Sequence, residues 1–282
     1  TCIVLVGAQP VFVDVEPDYF CLDLDSVKQA MTPQTKAVIG VHLFGQPYDS
    51  KLIDFCEANN LLLIEDAAQA HGAQQQMVDG SVRVAGAMGD VGCFSFFPSK
   101  NMAVGGEGGM LTTTRQEFSS RIQSITNHGR TPNLESVELG SNLRMSEVAA
   151  AIGRKQLSRL DEWVQTRRNT ADRYAALLEN HPLIHAPGVR PNAQHAWHQY
   201  CVQTLHPEAL QAHLDKHEID SRRYYITPIH QQQIFANHYQ HETILPETAK
   251  LGKNLVAIPV MHELIEEEKL RILAALETFQ LD

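Results

Sequence analysis

The stretch KAVIGVHLFGQPYDSKLIDFCEANNLLLIEDAAQ, residues Lys36–Gln69, holds two short apolar runs separated by an amphipathic segment. Lys36–Val41 (KAVIGV) and Leu61–Ile64 (LLLI) are apolar without alternation, as strands covered on both faces are. Asp49–Asn59 reads as a helix whose opening aspartate suits an N-cap or first turn. Strand, helix and strand in that order point to an α/β domain with a mostly parallel sheet flanked by helices.

The alternation extends outward in both directions. Pro10–Val15 (PVFVDV), Gly92–Phe97 (GCFSFF) and Met110–Thr114 (MLTTT) are further strand candidates, and Asp25–Met31 a helix. Helices are predicted over Gln116–Asn127, over the alanine-rich Ser146–Leu157 and over Glu162–Glu179, with a polar loop at His128–Asn142. Composition shifts to proline and polar residues near Pro182–Pro191, marking a boundary or crossover. Beyond it lies a smaller α+β pattern, with strands at Gln199–Leu205 and Ile219–Tyr225 and helices at Pro207–His217 and Ile265–Phe279. The expected division is a large domain over 1–160, then a linking helix and a smaller C-terminal domain over 161–282.

The chain has 282 residues, 43% of them hydrophobic, enough for a sizeable core. A net charge of −10 argues against nucleic acid or an anionic membrane surface as partner, since both reward clustered Lys and Arg. No apolar run reaches the ~18–20 residues of a membrane span, and no signal-peptide pattern opens the chain. Cys2, Cys21, Cys56, Cys93 and Cys201 are odd in number and widely spaced, which disfavours a disulfide framework and suits a reducing cytoplasm. The opening TCIVLVGAQPVFVDVE reads as the middle of a longer polypeptide.

Chemistry concentrates in CFSFFPSKNMAVGGEGGM, residues Cys93–Met110. Lys100 follows an apolar strand, and an ammonium beside such a strand tends to lose its proton, which is what imine chemistry needs. The glycines Gly105, Gly106, Gly108 and Gly109 are read as keeping the space beside it open, with a tight turn as the alternative. They match neither G-x-G-x-x-G nor a phosphate loop ending in G-K-[ST]. In LLLIEDAAQAHG (Leu61–Gly72) a strand ends in two acids, and ligands of open α/β sheets collect beyond the carboxyl ends of strands. Periodicity cannot choose between Glu65 and Asp66. An acid at one strand end and an amine after another suggest pyridoxal phosphate (PLP), held by the lysine as a Schiff base and by the acid at its pyridine nitrogen.

The runs GAQPVFVDVE, KAVIGVHLFGQP, LLIEDAAQAHGA, GDVGCFSFFPSKNMAVGGEGGMLTT, LGSNLRMSEVAAAIGRKQL and RRYYITPIH resemble the DegT/StrS-type sugar aminotransferases, PLP enzymes of the aspartate-aminotransferase fold (fold type I). The resemblance covers nearly the whole chain. It implies that Lys100 carries the cofactor and shuttles the proton, and that Asp66, not Glu65, partners the pyridine nitrogen. It implies also that Gln69 lies near the ring's phenolic oxygen and that Ser95 binds the phosphate. Asn142 would reach the phosphate in a neighbouring subunit, making a homodimer part of the site. Arg222, Tyr225 and His230 match a stretch that borders the sugar site. Relatives begin several dozen residues earlier, so the resemblance places a phosphate-cradling turn and a ring-stacking aromatic before Thr1.

The expected reaction is transfer of an amino group from an amino acid such as glutamate to a keto-sugar, with pyridoxamine phosphate (PMP) as intermediate. The product would serve amino-sugar synthesis for a surface polysaccharide or a secondary metabolite. Three rivals are weighed. A sugar dehydratase of this fold carries histidine where Lys100 stands. A non-catalytic regulator would not need the Asp66, Gln69, Ser95 and Lys100 set. A dinucleotide oxidoreductase lacks its glycine fingerprint here. The pairs His213/His217, His195/His198 and His238/His241 have helical spacing, but no H-E-x-x-H or converging carboxylate supports a metal.

Overall fold

The computed structural model describes residues 1–236 and 244–281, so His238 and His241 lie outside the described residues. The chain divides into two units, one of Lys36–Arg168 with Pro191–His198, the other of Thr1–Thr35, Asn169–Arg190 and Gln199–Asp282.

In the first unit the sheet runs β1 (Ala37–Val41), β2 (Leu62–Asp66), β5 (Val91–Ser95) and β6 (Gly109–Thr112), side by side in that order. The first three are parallel, with Val41 opposite Asp66 and Asp66 opposite Cys93. β6 returns antiparallel to β5, Ser95 facing Gly109. The sheet is mostly parallel, as its apolar, non-alternating strands predict. Its consequence for function is positional: Val41, Asp66 and Ser95 end three neighbouring strands at one edge of the sheet. The helix Lys51–Ala58 connects β1 to β2 and turns buried Leu52, Ile53 and Cys56 inward. A small second sheet orders β4 (Val82–Val84), β3 (Gln74–Gln76) and β7 (Ala193–Gln194); segments of two or three residues are too short to carry a strand signature in the sequence. The helix Glu147–Leu157 begins at Ser146, whose Oγ accepts from the Ala149 N–H at 3.2 Å.

The second unit is built on β8 (Tyr200–Gln203) and β9 (Leu255–Ile258), antiparallel, with helices Pro207–Lys216, Pro246–Asn254 and Glu266–Glu277. Its core includes Tyr174 and Tyr200, edge to face at 5.3 Å, with Leu210, Leu214 and Leu276 fully buried. Two strand expectations fail here. Ile219–Tyr225 supplies only an isolated bridge, Arg222 to Ala257. Pro10–Val15 forms no strand, and only Val15 is bridged, to Leu22. The reason lies in Asp14. Its carboxylate accepts the Glu247 and Thr248 N–H groups and the Thr248 hydroxyl at 2.6–2.9 Å, capping the start of helix Pro246–Asn254 from across the sequence. Those bonds hold the Asp14 carboxyl below its usual range although burial pushes the other way.

Candidate active site

The two acids ending β2 divide by the alternation of a strand, which sends neighbouring side chains to opposite faces. Glu65 is 0% exposed and saturated. Its Oε1 accepts the Met88 and Gly89 N–H groups, each at 2.7 Å, and its Oε2 accepts the Gly86 N–H at 2.8 Å and meets His42 Nε2 at 2.8 Å. The Tyr48 N–H donates to His42 Nδ1 at 3.3 Å, so the proton of that ring sits on Nε2 and points at Glu65. Burial works to raise the Glu65 pKa, but the His42 bond and the backbone donors outweigh it and lower it. Glu65 therefore knits β1, β2 and the 86–89 loop together. Asp66, on the other face, accepts the local Ala68 N–H at Oδ1, 3.0 Å away.

Lys100 follows β5 on a loop tied at several points. Its own N–H donates to Phe97 O at 2.9 Å, Ala103 N–H to Gln156 Oε1 at 2.8 Å, and Val104 N–H to Phe96 O at 3.2 Å. Burial pushes the Lys100 pKa below the ordinary lysine value, and the Asp66 carboxylate, near enough to be felt, pulls it partly back. The amine and the acid of neighbouring strand ends are thus brought into one electrostatic neighbourhood.

Gln69 and Ser95 complete this edge of the sheet. Gln69 Oε1 accepts the Phe44 N–H at 2.7 Å, which fixes the amide. Ser95 Oγ accepts the Phe97 N–H at 3.3 Å, leaving the hydroxyl hydrogen to donate outward. The glycine run works differently from the expectation of open space. Only Gly106 borders open space, while Gly105 has φ +77° in a turn. A Cβ on Gly108 would stand 2.6 Å from Val104, and one on Gly109 2.8 Å from Phe94 O, so these two permit the tight return into β6.

Asn142 is exposed and bridged to Asn127. Arg222, Tyr225 (48% exposed) and His230 lie in the other unit, where the His230 ring tilts against Phe12 at 6.3 Å. Burial lowers the His230 pKa in spite of Asp14. Sequence reasoning missed two imidazoles. His71 lies buried between Phe94 and Phe96, and burial, then the Lys100 charge, takes its pKa to about 4. His198 is taken to about 3, again by burial first and Lys100 next. The motif LLIEDAAQAHG contains the first, but a lone histidine after small residues carries no distinguishing signal.

The donor set fits pyridoxal phosphate. A half-buried amine of lowered pKa suits its aldehyde, a carboxylate at the next strand end suits a pyridine nitrogen, and a serine hydroxyl suits a phosphate oxygen. Among the described residues no cluster of three or more His, Cys, Asp or Glu could hold a metal ion, and no helix is long and apolar enough to cross a membrane.

Residues 1–277 match the model of the DegT/DnrJ/EryC1/StrS aminotransferase family. Among curated relatives, a pleiotropic regulatory protein of Geobacillus stearothermophilus is 36% identical over 97% of this chain and 73% of its own length. A UDP-N-acetyl-3-dehydro-alpha-D-glucosamine 3-aminotransferase of Acidithiobacillus ferrooxidans is also 36% identical, over 96% of this chain and 71% of its own. Among solved structures, DesV of S. venezuelae in complex with a ketimine intermediate superposes with TM-score 0.93 at 32% identity, over 99% of this chain and 75% of DesV.

Proposed function

The chain belongs to the DegT/DnrJ/EryC1/StrS aminotransferase family, and from that premise we propose that it is a PLP-dependent sugar aminotransferase. It moves an amino group from an amino acid, glutamate by preference, to a nucleotide-linked keto-sugar in amino-sugar biosynthesis. The observation that carries this reading is the half-buried Lys100 amine on a fastened loop, with Asp66 at the end of the adjoining strand. Solved structures similar to this chain carry the cofactor as PLP or PMP.

When bound, pyridoxal phosphate supplies an aldehyde that joins an amine and a ring that stores the electron pair left when the donor's Cα–H bond breaks. Lys100 is the amine that joins it. Burial lowers the Lys100 pKa, which favours the free-base form that joining an aldehyde would need. With the donor's amine in its place on the cofactor, Nζ would be the base that holds and moves the α-proton. Asp66 would hold a proton at the ring nitrogen, and the Ser95 hydroxyl would donate to the phosphate. Gln69, its oxygen pinned by Phe44, would serve the ring's phenolic oxygen. Both half-reactions use one amine at one site, so kinetics are ping-pong. Arg222, Tyr225 and His230 border the sugar.

The test is spectroscopic and chemical. Purified enzyme should show a near-visible absorbance that borohydride abolishes, leaving the label on the Lys100 peptide, and should aminate a nucleotide-linked keto-sugar at the expense of glutamate. A spectrum of bound nicotinamide would overturn the reading. The Geobacillus relative's name supports a second one, in which the site is kept but the chain acts as a regulator. Cofactor binding without turnover on any keto-sugar would favour it. The five cysteines, none of them in a disulfide, suit the cytoplasm.

Asp66→Asn should bind cofactor and lower turnover by about 10²–10³-fold, the cost typical of removing one preorganised electrostatic partner. Single-turnover rates check this, and an unchanged rate would remove Asp66 from the ring.

We place the working enzyme in a homodimer, with Asn142 of one subunit reaching the phosphate held by the other. Its exposure supports such a role. Mixing Lys100→Ala with Asn142→Asp should then restore activity at one site per heterodimer. Absence of recovery after verified subunit exchange would put both residues in the same chain's site.

A further inference from the structure

The residue after Lys100 is the more firmly held of the two. Asn101 is 2% exposed, and its side chain reaches 95 residues along the chain. Its Nδ2 donates to Ala196 O at 2.9 Å, and its Oδ1 meets His198 Nδ1 at 3.2 Å. The first bond decides the second. A carbonyl only accepts, so the NH₂ of Asn101 must face Ala196, and His198 Nδ1 must carry the hydrogen it gives to Oδ1. A neutral His198 then presents Nε2 as a bare acceptor.

The tripeptide that Asn101 grips is itself locked. Ala196 N–H donates to Gly45 O and His198 N–H to Phe44 O, both at 2.9 Å, and Arg167 donates to Trp197 O at 3.1 Å. Phe44 and Trp197 both sit at positive φ, 57° and 47°, a conformation held only where the surroundings impose it. Gly45 cannot change, since a Cβ there would stand 2.9 Å from Trp197 N. Phe44 also holds Gln69. One left-handed turn therefore fastens two items at once, the amide beside the ring edge and, through 196–198, the loop of Lys100.

We propose that Asn101 and His198 form a positioning pair that sets where the Lys100 amine points and keeps its surroundings dry. The proposal rests on the reading of Lys100 as the amine that joins the cofactor. Neither residue needs to touch substrate: Asn101 holds the peptide that follows Lys100, and His198 holds Asn101. The charged and titratable groups around the amine are Asp66, His71, His198 and, against His198, Arg167. With both imidazoles neutral, Asp66 is the anion among them, and dryness depends on the packing the pair maintains.

The experiment reads the amine itself, without cofactor. In the apo chain, acetic anhydride in trace amounts labels Lys100 in proportion to its free-base fraction, and mass spectrometry of its peptide follows this with pH. Asn101→Ala and His198→Leu should admit water and cut Lys100 labelling at pH 8 by about tenfold, as a rise of about one pKa unit does. His198→Asn, whose Nδ2 stands where the ring Nδ1 stood, should restore it to within about twofold. Circular dichroism verifies that the variants fold. Unchanged labelling in folded Asn101→Ala and His198→Leu would overturn the positioning pair while leaving the role of Lys100 intact. Wild-type labelling like that of an exposed lysine would instead overturn both.

Discussion

Lys100→Ala is expected to bind pyridoxamine phosphate and yet lose amino transfer by several orders of magnitude. Alanine removes the amine that joins the cofactor and, with it, the base that carries the α-proton. The loss should exceed the ~10²–10⁴-fold ascribed to an acid–base group alone, because two functions leave together. The fold should survive. Lys100 is only partly buried, its backbone bond to Phe97 O does not involve the side chain, and the loop keeps its ties at Asn101, Ala103 and Val104. Steady-state rates on a keto-sugar, together with borohydride labelling, measure the effect. Near-normal turnover would remove Lys100 from the chemistry.

Glu65→Gln should instead strike stability. Four donors converge on the two carboxylate oxygens, from Gly86, Met88, Gly89 and His42. Glutamine offers one carbonyl and one NH₂, so two of those donors would face a donor in a fully buried site. Leaving two buried donors unsatisfied costs about 1–3 kcal/mol each, read as a fall in denaturant midpoint. The sign with pH follows from the direction of the shift. The folded pKa lies below the unfolded one, so this stabilisation is present above the unfolded value of roughly 4.3 and is lost as pH falls through the folded value. The variant should lose that segment of the acid profile. An unchanged midpoint would mean that the cluster is not held as drawn. Asp66→Asn reports on chemistry and Glu65→Gln on stability, so neighbouring acids separate by the kind of measurement.

Residues 36–112 were the most legible part of the chain. β1, β2 and β5 announce themselves because strands buried on both faces must be apolar throughout, and their order follows from the helix between them. Which acid faced the site was not legible. A period of two says that Glu65 and Asp66 point to opposite faces, not which face is which, and the resemblance chose Asp66. The structure explains why the choice is physically open: both are carboxylates at one strand end, and only the 86–89 loop and His42 make Glu65 a structural group. Pro10–Val15 misled because its apolar run is real while its bonding partners lie elsewhere, on Asp14 and the helix it caps. β9 was missed because four buried residues, Leu255–Ile258, follow a helix with no turn signal between them. Asn101 and His198 were invisible for a different reason: their meaning arises only when residues 97 positions apart touch.

The Asp14 cap also bears on synthesis. Its partners lie 233 and 234 residues downstream, and a ribosome adding about 5–20 residues per second needs on the order of ten to fifty seconds to reach them. During that interval Asp14 has left the ribosome with no helix to cap, while Lys36–Arg168 is already available to fold. Long-range closure of this kind is slow because chain entropy is spent before the contact rewards it. Pulse proteolysis of stalled nascent chains should find 36–168 protected early and residues 1–35 cleavable until the 246–254 helix emerges. Residues 1–35 are thus settled only after residues that follow them in the sequence.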